Sequence, residues 1–189
     1  MIAKSRIKAI LLTLLIAIGT VMLYISYRTF FRAAYPIKYA ETVGQASTLT
    51  GVEESLLYAV IRTESGFRED VQSSVGACGL MQITPDTLSW VRYRMGETGE
   101  APHELLFEPK ANIYYGAHTL ELLIQEFGQV DTALAAYHAG WGNVTRWLTD
   151  SRYSADGTRL HSIPFADTNS YVTKVLYTAR MYETVYDLS

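Results

Sequence analysis

The sequence contains a single cysteine, Cys78, among its 189 residues, so the chain cannot form an internal disulfide. It also has only five prolines, and no repeat, low-complexity tract or long flexible linker interrupts it. Because 49% of the residues are hydrophobic, the length suffices for one domain with a core of its own and is short for two. We therefore expect one domain and a short tail.

Acidic residues are absent from residues 1–38, which hold six of the 16 basic residues. The rest of the chain has 10 basic and 19 acidic residues, a net charge of −9. Proteins that bind DNA or RNA carry a basic surface that neutralises phosphates. The acidic domain has no such surface, and we expect no nucleic-acid partner.

The tail contains an uncharged run, Ala9–Tyr27, which at about 1.5 Å per residue is long enough for a bilayer core. Basic residues precede it, as in a secretion signal or a signal anchor. Bulky aromatic residues follow it in place of a small-x-small cleavage site, which favours an uncleaved, single-pass membrane helix. We divide the chain into an anchor with its juxtamembrane stretch, residues 1–34, and a domain, residues 35–189. The positive-inside count does not decide the orientation, because basic residues flank the run on both sides.

Glu64 ends a predicted helix on which Leu57, Val60 and Ile61 precede it at the spacings of one helix face. Gly66 stands where a helix commonly stops. Partial burial against the apolar stripe and the negative end of the helix dipole both raise the pKa of a carboxyl group. A carboxyl that stays protonated near neutral pH suits general-acid catalysis. The alternative is a solvated glutamate in the last turn of a helix.

Helical spacing and helix-ending signals continue to the C-terminus, and no alternating strand pattern competes with them. Thr84 is placed as the N-cap and Pro85 as the first residue of a helix that extends to about Met95. Another helix runs from Pro109 to about Phe127, and Gly128 closes it. Asp131 is placed to cap the next helix, which ends at Gly140. Further helices are predicted over about 142–148 and after Thr168, where apolar residues recur at helical spacing as far as Val185. Extended segments are allowed in the loops 66–80 and 150–165. The fold class is mainly α.

The four histidines, at positions 103, 118, 138 and 161, have no close metal-ligand spacing, and no second cysteine exists to complete a zinc site. We therefore predict no metal site. We interpret the four histidines as solvated side chains or as packed side chains without a metal.

Four short motifs occur in order: Glu64-Ser65, Gly79-Leu80-Met81-Gln82, Ala136-Tyr137-His138-Ala139-Gly140 and Tyr171-Val172. Together they resemble the catalytic domain of soluble-type lytic transglycosylases, which are related to goose-type lysozyme. The resemblance covers about Tyr35 to Tyr186. It implies a lysozyme-like domain of the α+β lysozyme superfamily, placed after one N-terminal transmembrane helix.

The resemblance also implies a reaction. A single glutamate, Glu64, protonates the β-1,4 glycosidic oxygen between N-acetylmuramic acid and N-acetylglucosamine in peptidoglycan. The carboxylate then takes a proton from the muramoyl C6 hydroxyl, which attacks C1 and leaves a 1,6-anhydro end. No cofactor takes part.

Six further residues match functional positions of the family. The resemblance implies that Ser73 and Gln82 hydrogen-bond the sugar, that Met81 and Tyr137 supply the apolar and aromatic parts of the substrate site, and that Tyr171 orients the catalytic carboxyl. His138 stands where the family usually has asparagine, so the contacts of that amide would be weaker or pH-dependent. Met81 and Tyr137 are equally well explained as core residues.

Two alternative functions stay open. A hydrolytic muramidase would use water activated by a second carboxylate, for which Asp70, Asp86 and Asp131 are candidates. A non-catalytic glycan-binding or scaffold module would keep the fold without turnover. In each case we expect the domain on the extracytoplasmic side of the cell membrane, where the helix tethers it facing the cell wall. An unidentified part of the cell envelope machinery is the expected protein partner.

Overall fold

A computed structural model describes residues 2–99 and 101–188, which form eight α-helices and one 3-10 helix. The chain divides into two compact units, one reaching Pro36 and the other beginning at Ile37. The outermost residues of the two predicted domains, Met1 and Ser189, lie outside the described residues.

Helix α1, Ile2–Ala34, makes up nearly all of the first unit. The leucines and isoleucines between positions 10 and 25 expose more than half of their surface. Of the described residues, Ile10–Ala34 forms the one helix that is long and apolar enough to cross a membrane. A helix that is apolar all round and exposed over its apolar stretch fits a lipid environment or a signal sequence.

The second unit begins with α2, Ala40–Thr50, and α3, Glu54–Glu64. The predicted apolar stripe of α3 is confirmed, because Leu57, Val60 and Ile61 are fully buried. Burial goes beyond one stripe and includes every residue from 55 to 61. Ser65 caps the helix and Gly66 follows in the left-handed region with φ 60°, which is the C′ position predicted for it.

The remaining helices follow the predicted order. They are α4 Pro85–Arg94, the 3-10 helix His103–Phe107, α5 Pro109–Phe127, α6 Val130–Ala139, α7 Trp141–Leu148 and α8 Ala166–Tyr186. The Thr84 hydroxyl accepts a hydrogen bond from the Thr87 amide, as expected of the cap of α4. The 3-10 helix was not predicted, since five residues are too few to show a hydrophobic period.

Asp131 does not cap α6. The cap position is Gln129, and Asp131 is the second residue of the helix, where its carboxylate accepts a hydrogen bond from the Arg159 guanidinium at 2.9 Å. The extended segments expected in the loops are short: Gln72 and Ile83 each form an isolated β-bridge with Cys78, and Ser154 pairs with Leu160. The prediction of a mainly α-helical domain is confirmed.

Helix packing brings distant parts of the chain together at one end of α3. Helix α8 packs along α3, while α2, α4, α6 and the 3-10 helix pack on α5. Helix α6 also contacts α7 and α8. The C-terminal end of α3 therefore lies close to the start of α8 and the end of α6.

Asn112 on α5 holds the loop between α3 and α4 in place. Its fully buried side chain accepts a hydrogen bond from the Met81 amide at 2.7 Å. It donates to the carbonyl oxygens of Cys78 at 2.9 Å and Leu106 at 2.7 Å. One amide therefore satisfies three backbone groups that would otherwise be buried without partners.

Gly79 allows this close approach. It has φ 73°, and a Cβ atom there would lie 2.2 Å from the Leu106 carbonyl oxygen and 2.4 Å from the Asn112 amide nitrogen. Gly76 in the same loop has φ 82°, but a Cβ atom there would meet nothing within 4 Å. The two glycines share the backbone constraint and differ in crowding.

We expect Gly76→Ala to lower the free energy of unfolding by about 1–2 kcal/mol, the cost of the left-handed conformation alone. Gly79→Ala adds overlap with backbone and should cost at least about 3–4 kcal/mol. Urea denaturation of the two variants measures the difference. Equal losses would show that the Asn112 contact does not limit the space at Gly79.

Candidate active site

Glu64 lies at the C-terminal end of α3, half-buried beside the apolar core. Ser65, which follows it, is buried, and its hydroxyl accepts a hydrogen bond from the Phe67 amide at 3.1 Å. Phe67 has φ 65° and is itself buried. The chain therefore turns sharply after Glu64 and leaves its carboxyl group at the rim of the core.

Tyr171 reaches this carboxyl group from the beginning of α8. Its hydroxyl donates a hydrogen bond of 2.6 Å to Glu64 Oε1 across 107 residues of sequence. The Tyr171 side chain is 7% exposed. The structure therefore brings Tyr171 into contact with Glu64, and its role in orienting a catalytic carboxyl group stays a prediction.

Burial raises the pKa of Glu64 from 4.5 to about 7. The Tyr171 hydrogen bond and the charge of Lys174 act in the opposite direction, because both favour the carboxylate. Loss of hydration is therefore the dominant cause. A carboxyl group with this pKa is available both as an acid and as a base near neutral pH.

Gln82 occupies a strained backbone position, with φ 50°, in the loop that Asn112 holds. Its side-chain nitrogen donates to the carbonyl oxygens of Val71 at 3.1 Å and Gly79 at 2.9 Å. These bonds fix the amide, so its oxygen is the end that can accept a hydrogen bond from a ligand.

Met81 is fully buried, and its side chain packs against Gly116. Its carbonyl oxygen accepts a hydrogen bond from the Tyr137 hydroxyl at 2.7 Å. Met81 thus connects the loop to both α5 and α6. Of these contacts, the hydrogen bond to Tyr137 connects Met81 to a residue that lines the cavity in front of Glu64.

A cavity of about 320 Å³ lies in front of Glu64. Five of the seven residues predicted from the sequence line it: Glu64, Ser73, Gln82, Tyr137 and His138. The other two predicted residues do not line the cavity. Tyr171 hydrogen-bonds Glu64 from α8, and Met81 is fully buried. The long-range contacts of the helices bring these residues together from four separate stretches of the chain.

Three threonines also line the cavity: Thr84, Thr87 and Thr119. The sequence does not mark them as site residues, because the cap of α4 accounts for Thr84 and the other two lie on predicted helices. The one available signal is the three-residue spacing between Thr84, the cap of α4, and Thr87 in its first turn.

His138 is exposed at the edge of the cavity. Its Nδ1 atom lies 3.1 Å from the Thr168 hydroxyl, and its ring centroid is 4.5 Å from that of Tyr171. The imidazole therefore covers the tyrosine that contacts Glu64. Its position is fixed by α8 on one side and by α6 on the other.

The other candidate carboxylates lie elsewhere. Among the described residues that line the cavity, Glu64 is the one acid. Asp86 lines a neighbouring cavity, and Asp131 lines a third that includes Arg159. Asp70 is exposed on the loop after α3. Within the part of the chain that the structure describes, no group of three histidine, cysteine or acidic side chains is arranged to hold a metal ion.

Comparison with known proteins identifies close similarities. The family described as the transglycosylase SLT domain matches residues 41–159. The soluble lytic murein transglycosylase of Escherichia coli K12 is 34% identical over 144 residues, which cover 75% of this chain and 22% of that protein. Its counterpart in Salmonella typhimurium is 37% identical over 145 residues, with the same coverage of 75% and 22%.

The fold is also similar to that of a solved enzyme. An inactive mutant of the lytic transglycosylase Slt from Pseudomonas aeruginosa matches with a TM-score of 0.71 and 33% identity, over 82% of this chain and 25% of that one. This similarity confirms the predicted fold class. The chain spans a quarter or less of the length of these relatives.

The raised pKa of Glu64 predicts a pH-dependent stability difference. The unfolded chain loses this proton near pH 4.5 and the folded protein near 7, so the stability contributed by the protonated group is present below pH 4.5 and is lost as the pH rises through 7. Glu64→Gln has no such proton. We expect it to match the wild type near pH 4 and to be more stable by about 2–3 kcal/mol above pH 8.

Chemical denaturation at the two pH values measures this difference. Glu183→Gln, at an exposed position of α8, controls for the loss of one negative charge from the domain. A stability gain of equal size at both pH values would contradict the assignment of a raised pKa to Glu64.

Proposed function

The chain belongs to the transglycosylase SLT domain family, and from that premise we propose that it is a peptidoglycan lytic transglycosylase. Its substrate is the β-1,4 bond between N-acetylmuramic acid and N-acetylglucosamine. The observation that carries the proposal is Glu64, a carboxyl group with a pKa of about 7 that faces a cavity otherwise free of acids among the described residues.

In the proposed reaction, protonated Glu64 donates its proton to the glycosidic oxygen while the bond from that oxygen to C1 of the muramoyl residue breaks. The departing N-acetylglucosamine keeps the proton as a hydroxyl group. The Glu64 carboxylate then accepts the proton of the muramoyl C6 hydroxyl, and that oxygen bonds to C1. The product is a 1,6-anhydro ring, and Glu64 ends the cycle protonated.

Tyr171 and Lys174 support the second half of this cycle. After proton donation Glu64 is negatively charged and half-buried, which is costly in a poorly hydrated position. The Tyr171 hydroxyl at 2.6 Å and the Lys174 charge both stabilise the carboxylate. These groups keep the pKa from rising so far that the acid could not give up its proton.

The substrate-binding roles follow from the cavity lining. We propose that the Gln82 amide oxygen, the Ser73 hydroxyl and the exposed edge of His138 hydrogen-bond the sugar, and that Tyr137 packs against it. Met81 acts indirectly, since its buried carbonyl group fixes the Tyr137 hydroxyl. The intramolecular bonds of Gln82 hold its amide ready before substrate arrives.

We further propose that α1 anchors the protein in the cell membrane by a single pass, with the domain on the extracytoplasmic side against the cell wall. The apolar, exposed length of Ile10–Ala34 supports the anchor. The first substrate is then the peptidoglycan nearest to the membrane. Cell envelope machinery that opens the wall locally is the corresponding class of partner.

Product analysis of digested sacculi tests the reaction. We expect the wild type to release muropeptides with 1,6-anhydro ends, and Glu64→Gln to lose at least about 100-fold in rate, as is typical when a general acid is removed. The control is Asp86→Asn, which should keep the anhydro product.

Two other outcomes would each contradict the proposal. Reducing-end products, lost on Asp86→Asn, would show a hydrolytic muramidase with a second carboxylate. Wall clearance by Glu64→Gln equal to that by the wild type would show a binding or scaffold module.

A further inference from the structure

The loop 65–71 connects two parts of the candidate site. It begins directly after Glu64, and it ends at Val71, whose carbonyl oxygen accepts a hydrogen bond from the Gln82 side chain at 3.1 Å. The same carbonyl oxygen accepts a second hydrogen bond, of 2.9 Å, from the Gly79 amide. A shift of this loop would therefore change the position of the Glu64 carboxyl group relative to the loop that carries Gln82.

The middle of the loop 65–71 has a strained backbone. Phe67 has φ 65° and is 5% exposed, although left-handed backbone is unfavourable for a bulky residue. Its ring centroid lies 6.4 Å from that of Tyr58 on α3. A backbone conformation of this kind persists only where the surrounding contacts hold it in place.

The segment 37–39, which precedes α2, supplies contacts of this kind. The Tyr39 hydroxyl donates a hydrogen bond of 2.7 Å to Glu69 Oε2, 30 residues away in the sequence. The Lys38 ammonium group lies 6.0 Å from the centroid of the Phe67 ring, which is the outer range of a cation–π contact. Tyr39 itself has φ 58°. Each side of this contact thus includes a residue other than glycine in the left-handed region.

The Tyr39 hydroxyl keeps its proton over the physiological range. Burial raises the pKa of Tyr39 to about 12, and the hydrogen bond to Glu69 acts in the same direction. Glu69 is exposed, and a hydrogen bond at the surface contributes little net stability. The main consequence of this bond is therefore the position of the loop 65–71.

We propose that Tyr39, supported by Lys38, is a positioning residue for Glu64. The segment 37–39 begins the second unit of the chain, so the residues that join the domain to α1 also hold the loop that follows the acid. Tyr39 precedes residues 41–159, which the family matches. The inference rests on the proposed function, because it takes Glu64 as the catalytic acid.

The test uses the full chain in detergent and soluble, uncrosslinked peptidoglycan strands. Tyr39→Phe keeps the aromatic ring and removes the hydroxyl group. We expect its turnover number to fall roughly fivefold, because a displaced acid stabilises the transition state less well. Glu69→Ala should have the same effect. Glu69→Gln keeps an oxygen that can accept the Tyr39 hydrogen bond, and it should retain most of the activity.

Two further readouts separate positioning from a general loss of stability. The double variant Tyr39→Phe/Glu69→Ala should be no slower than either single variant, because all three lack the same bond. The titration midpoint of Glu64 should be lower in Tyr39→Phe than in the wild type, since a looser loop admits water to the carboxyl group. Tyr177→Phe, at a position of α8 that is 59% exposed, should keep the rate and the midpoint of the wild type.

Three results would overturn the inference. They are an unchanged rate or Glu64 midpoint in Tyr39→Phe, additive losses in the double variant, and a loss of folded protein with normal activity per folded molecule. Product analysis tests the proposed function separately. If the wild type releases no anhydro ends, the proposed reaction fails, and the Glu64 midpoint alone decides on Tyr39. Anhydro ends at equal rates from the wild type and Tyr39→Phe would overturn the positioning role alone.

Discussion

The constraint on which the structure depends is the burial of α3. Every residue of this helix from 55 to 61 is buried, so Glu64 at its end lies at the edge of the core. The carboxyl group of Glu64 loses part of its hydration there. This loss disfavours the charged form and raises the pKa of Glu64. The burial that stabilises the domain is therefore also the cause of the raised pKa of Glu64. The hydrogen bond from Tyr171 on α8 acts in the opposite direction, because it stabilises the carboxylate.

The rest of the site is arranged around that carboxyl group by contacts that are separate from it. Asn112 holds the Met81 loop against α5, and Tyr137 connects the same loop to α6. The cavity in front of Glu64 and the cavity lined by Trp90 and Trp141 share Tyr137 in their linings.

The sequence predicted the mainly helical class and most helix boundaries, because the apolar periods and the caps at Thr84 and Gly128 are local signals. It singled out Glu64 from its place at the end of an apolar helix face, and Tyr171 from a family resemblance. The two side chains meet in the structure, and their roles in catalysis stay predictions. It did not predict the role of Asn112, the 3-10 helix or the tryptophan-lined cavity. Each of these depends on contacts between distant segments. Asp131 was wrongly placed as a cap, because α6 already begins at Val130. Its carboxylate instead contacts Arg159, 28 residues away in the sequence.

A direct titration of the Glu64 side chain by carbon-detected NMR, with isotope-labelled glutamate and Glu64→Gln to assign the signal, tests the central claim. We expect a midpoint near pH 7 for the wild type and a higher midpoint in Tyr171→Phe, because the lost hydrogen bond favoured the carboxylate. A wild-type midpoint near 4.5, the ordinary value for glutamate, would contradict it. In that case Glu64 would be ionised at neutral pH and would not serve as the acid.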